Sequence, residues 1–86
     1  GIFMKHYRYL VEAVDLFPKD APHYTEKVKH GINPDEDWRL IFSFTNPIDA
    51  EECAKGEADS FSFRKYRVRD SESDDILFQI GDRESE

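Results

Sequence analysis

Eighty-six residues, 38% hydrophobic and 36% charged, frame a single small domain with one core. The net charge of −7 repels nucleic acid and anionic membranes and favours basic partners. No apolar run approaches the roughly 20 residues that span a bilayer, and one cysteine leaves neither an intrachain disulfide nor a cysteine metal cluster.

Gly1-Ile2-Phe3 ahead of Met4 reads as a cloning remnant. Met4 leads into a charged, strand-like segment rather than the apolar core of a secretory leader. With a lone cysteine, the expected compartment is reducing, hence cytoplasmic. Charge is uneven: residues 1–45 hold 6 Lys/Arg and 7 Asp/Glu, residues 46–86 hold 6 and 12. At 14% aromatic, the chain draws much of its core volume from Phe, Tyr and Trp.

Lys5 to Phe17 predicts a long first strand, with Tyr7, Tyr9, Val11 and Ala13 on one face and His6, Arg8 and Glu12 on the other. Leu10 and Val14 on the second face predict cover on both sides, as in a central strand. Pro18 ends it. Residues 18–37 are broken by Pro18, Pro22, Gly31 and Pro34. They fit either a short helix from an Asp20 cap to His30 or an irregular excursion.

Trp38 to Arg69 is the organising stretch, a strand, a helix and a strand. Trp38, Leu40, Phe42 and Phe44 alternate with Arg39, Ser43 and Thr45, and Ile41 breaks the alternation. Asn46-Pro47 predicts a capped helix start, with Asp49 in the first turn, where a helix favours a carboxylate. Ala50, Cys53, Ala54 and Ala58, with the Glu57 stem, form its narrow inward face, so Trp38, Phe42 and Phe44 are expected in the core against them. Gly56 predicts an early stop. The next strand is Phe61 to Arg69. Asp70 to Asp75 is a polar turn, Ile76 to Ile80 a last strand forming a hairpin, and 82–86 a frayed tail.

The expected fold is α+β, one domain over 1–86, with a four-stranded, mostly antiparallel sheet and one main helix on one face. Placing the first strand between the two crossover strands gives half of a ferredoxin-like β-β-α-β-β unit, with sheet order second, first, third, fourth.

No catalytic or metal motif stands out, no cofactor is expected, and the chain reads as non-enzymatic. His23 and His30 sit seven apart, roughly 10 Å along a helix, too far for one ion. Cys53 reads as a space-filler. Asp70, Glu72 and Asp74 alternate like a calcium loop, but Asp75 and Gly81 stand where that loop needs Gly and Glu. Arg64, Lys65, Arg67 and Arg69, beside Phe61, Phe63 and Tyr66, place cations and aromatics on one strand, as some RNA-binding sheets do. The net charge and the missing glycine of the RNA-binding signature argue against that use.

Short acidic chains with a strand, capped helix and strand resemble small accessory proteins of bacteriophages and mobile elements, including inhibitors of host defence. The resemblance implies a binding or inhibitory role and transfers no residue. The primary expectation is a protein-binding module whose acidic surface, Asp49, Glu51, Glu52, Asp59, Asp70, Glu72, Asp74 and Asp75, occupies a basic site on a partner. The alternative is a nucleic-acid binder using Arg64, Lys65, Arg67 and Arg69. Aromatic surface beyond what one small-faced helix can cover, with Tyr7, Tyr9, Phe61 and Phe63 on the second sheet face, also predicts a homodimer.

Overall fold

The computed structural model describes residues 7–81. The expectations for residues 1–3, for the first strand before Tyr7 and for the tail 82–86 lie outside the described residues. The elements are β1 (Tyr9–Asp15), α1 (Pro22–Lys29), a 3-10 turn (Pro34–Glu36), β2 (Arg39–Phe44), α2 (Pro47–Ser60), β3 (Arg64–Asp70) and β4 (Ile76–Gly81). The sheet order is β2-β1-β3-β4, and every neighbouring pair is antiparallel. Since β2 and β3 both oppose β1, they run parallel to each other, and α2 carries the crossover between them. The expected α+β class, strand order and main helix are therefore present. None of the described helices is long and apolar enough to cross a membrane.

β1 is central because its residues suit cover on both faces. Val11, Ala13 and Val14 are fully or almost fully buried, and so is Glu12 between them. On one face Tyr9, Val11, Ala13, Tyr66, Val68, Phe78 and Ile80 meet Ala50, Cys53, Ala54 and Ala58 of α2. The small helix face lets α2 lie close to the strands. Asn46 caps α2 as the sequence predicts, its Oδ1 accepting from the Ile48 N–H at 2.7 Å. Gly56 does not end the helix, which continues to Ser60, where the Phe61 N–H closes the last turn on the Glu57 carbonyl.

The expected burial of Trp38 and Phe42 is not met. Ile41 is an extra residue in β2: Val11 pairs with Phe42 and Glu12 with Leu40. This β-bulge reverses the side-chain alternation along the strand. Phe44 and Ile41 pack on the α2 side, while Trp38 lies on the opposite face under Arg67, and Phe42 is 44% exposed. The break at Ile41 in the sequence pattern is the trace of that bulge.

Residues 18–37 take the helical alternative, with a different start. Ala21 is the N-cap, with no side-chain hydrogen bond, so Asp20 is not the cap; Pro22 opens the helix. The stop is as expected: Gly31 at φ 78 lets its own N–H reach the Val28 carbonyl and the Ile32 N–H reach Lys27. Asn33 then caps the 3-10 turn, which lays Pro34, buried, against β1. The 3-10 turn is thus the part of the segment that reaches the sheet, while α1 packs on that turn and buries none of its own residues. Tyr9 packs on the α2 side, and Phe61 and Phe63 precede β3 rather than forming part of it. Of the four aromatics from which a homodimer was expected, Tyr9 is thus withdrawn to the α2 side, while Tyr7, Phe61 and Phe63 are exposed.

Two outcomes test this packing. Asn46→Ala should lower unfolding stability by about 0.5–2 kcal/mol in urea titrations, because the Ile48 N–H loses its acceptor. The Tyr66 hydroxyl is buried beside the Arg64 guanidinium without a hydrogen bond of good geometry among the described residues, so Tyr66→Phe should change stability little; a loss above about 1 kcal/mol would show that Arg64 supplies a bond there.

Candidate functional site

The chemistry of the described surface is electrostatic, and it is built by strand register. On β3, side chains alternate: Tyr66 and Val68 face α2, and Lys65, Arg67 and Arg69 face the other way. Register sets Glu12 of β1 directly opposite Arg67. Arg67 Nε donates to Glu12 Oε1 at 2.7 Å, and Arg69 Nε and Nη2 donate to Oε2 at 3.1 and 2.8 Å. Arg69 Nη1 reaches Asp74 at 2.9 Å, and the Arg67 guanidinium lies 4.1 Å from the Trp38 ring centre. Burial alone would raise the Glu12 pKa, but the bonds from Arg69 and Arg67 outweigh it and hold the carboxyl below its ordinary value.

Arg64 is on the α2 side of the strand. Its Nε donates to Asp15 at 2.8 Å, its guanidinium covers the Phe61 ring, and Arg39 binds the same carboxylate. Lys65 has no carboxylate partner among the described residues. The basic strand predicted for nucleic acid is therefore divided between two faces, and Arg64, Arg67 and Arg69 are each committed to a carboxylate.

The eight predicted acidic residues do not form one patch. Asp49, Glu52 and Asp59 are exposed on the outer side of α2; Glu51 and Glu52 share Lys55 at 3.1 and 3.8 Å. Asp49 and Asp59 sit roughly 15 Å apart along the helix. Glu72, Asp74 and Asp75 are exposed in the β3–β4 turn, where Glu72 pairs with Arg8 at 3.6 Å and Asp74 with Arg69. Asp70 does not belong to that surface. It is 5% exposed, takes a bidentate bond from Arg8 at 2.8 Å per arm, and accepts the Glu72 N–H at 2.9 Å. These donors, Arg8 first, hold its carboxyl far below the usual carboxylate range. The turn is closed by the Asp70 N–H on Asp75 and by Asp74 in the left-handed region, which Asp tolerates.

Glu12 and Arg8 are the residues that sequence reasoning did not single out as functional; Asp70 was singled out, but as a surface acid and not as the partner of Arg8. A carboxylate flanked by Val11, Ala13 and Val14 is the signal that was there, since a buried strand carries a charge only when a partner meets it. The histidines stay apart: His23 stacks on Phe17 and His30 contacts Glu26. No group of three metal-ligating side chains is found among the described residues. Burial, then Glu57, pushes the Cys53 thiol up, away from the reactive thiolate. Comparison with protein-family models, curated proteins and solved structures finds no match.

The depressed Asp70 carboxyl has a defined pH signature. Its contribution is fully present above the unfolded pKa of about 4 and is lost as pH falls below it. Asp70→Asn should lower the urea midpoint at neutral pH and flatten the decline in stability between about pH 4 and pH 2. An acid slope identical to that of the wild type would remove Asp70 from the account.

Proposed function

We propose that the chain is a non-enzymatic protein-binding module of the cytoplasm, an inhibitor or accessory factor whose acidic exterior seats on a basic site of another protein. The observation that carries this reading is which charges are already used. Arg8, Arg39, Arg64, Arg67 and Arg69 are tied to carboxylates of the sheet and its turns. Asp49 and Asp59 on α2 and Asp75 in the turn have no cation partner among the described residues, and all are exposed. What the molecule presents to an approaching macromolecule is thus negative, which steers a basic surface toward it.

The committed arginines weigh against the alternative, a nucleic-acid binder on β3. A phosphate would have to displace Glu12 or Asp15 from its guanidinium before pairing there.

The test is affinity capture from the native host with the wild type and with the combined variant Asp49→Asn, Glu52→Gln, Asp59→Asn and Asp75→Asn. These side chains are exposed, so the fold should persist. A basic partner should bind the wild type, and the variant should associate more slowly with a flatter salt dependence. A partner that binds both equally would overturn the acidic-surface reading. Salt-dependent retention of the wild type on single-stranded DNA or RNA would establish the alternative.

A further inference from the structure

A cleft of about 530 Å3 lies where the end of β1, α1 and the approach to β3 converge. Its walls are apolar: Leu16, Phe17, Pro18, Tyr24 and Phe63. Its charged residues are Lys19, Lys65 and Asp35. Lys19 and Lys65 have no carboxylate partner among the described residues, whereas the arginines of β3 all do. In a chain of net charge −7, this is a local excess of positive charge against an apolar wall.

Phe63 adds an independent observation. It sits at φ 61, in the left-handed region that bulky residues avoid, and the residue is 62% exposed. The Leu16 N–H bonds to its carbonyl at 2.8 Å and anchors the backbone there. An unfavourable backbone that presents an aromatic ring into a cleft is a recurring mark of ligand sites.

We propose that this cleft binds a small amphipathic anion, an aromatic or aliphatic body carrying one carboxylate or sulfonate. Its volume falls within the range of about 300–1,000 Å3 found for small-molecule sites. The body packs on Phe17, Tyr24 and Phe63, and the anionic head pairs with Lys65 and Lys19. The site is separate from the acidic face of α2 and stands or falls independently of the partner proposed above.

The probe is 8-anilinonaphthalene-1-sulfonate, titrated by fluorescence, with N-phenyl-1-naphthylamine as the same body without the anion. The sulfonate should bind saturably at one site and shift the amides of Leu16, Phe17, Tyr24, Phe63 and Lys65 in NMR spectra. Lys65→Glu and Lys19→Glu should each weaken it about tenfold, the loss of one charge-assisted bond. Lys19 is an exposed loop residue, so its variant keeps the test informative if Lys65→Glu fails to fold. Phe63→Gly should abolish binding without lowering the denaturation midpoint, because glycine accepts this φ without strain. Absence of saturable binding, equal affinity for the neutral analogue, or undiminished binding in both lysine variants would overturn the proposal.

Discussion

A carboxylate in the middle of a central strand must be answered by cations, and that constraint governs this molecule. Glu12 is 7% exposed, between residues that pack the sheet on both sides. A lone charge there would be very unfavourable. Arg67 and Arg69 meet it because β3 lies beside β1 in one particular register. A slip of one residue would send both guanidiniums to the α2 face and place Tyr66 and Val68 beside Glu12. The ion pair thus selects the register that the apolar faces also require. Arg8–Asp70 and Arg64–Asp15 repeat the device at the two ends of the same strand pair.

Those pairs also organise charge over the whole surface. The arginines of β3 are drawn inward to the carboxylates of β1 and the β3–β4 turn, and the unpaired carboxylates of α2 remain outside. A chain with many arginines can therefore present a negative exterior. Composition states the net charge, but only the pairing determines which sign a partner meets.

Much of the architecture was legible in local chemistry. Asn46-Pro47 marked the start of α2, its small residues marked the face that packs, and Gly31 marked the end of α1. These signals act within a turn or two, so reading them requires no knowledge of the fold. Trp38 was misplaced because one inserted residue reverses alternation, and only the partner strand tells which residue is extra; Phe42 keeps the face of Phe44 but stays exposed on the edge strand. Asp70 read as a surface acid because its donor, Arg8, is 62 residues away. Glu12 was passed over for the same reason, its partners lying 55 and 57 residues downstream. The charges of the candidate site were countable in the sequence, but their state of use was not, since it depends on contacts between distant segments.

The central position of β1 has a consequence in time. It precedes every other described element, yet Arg64–Asp70, the strand that supplies its counter-charges, comes third of the strands. As the chain leaves the ribosome, Glu12 waits in water until β3 has been made. The β3–β4 hairpin is the one described strand pair joined by a short turn, while β1 finds both neighbours across connections that contain helices, a pattern of non-local contacts that slows folding. The fold closes late, around the first of its described strands.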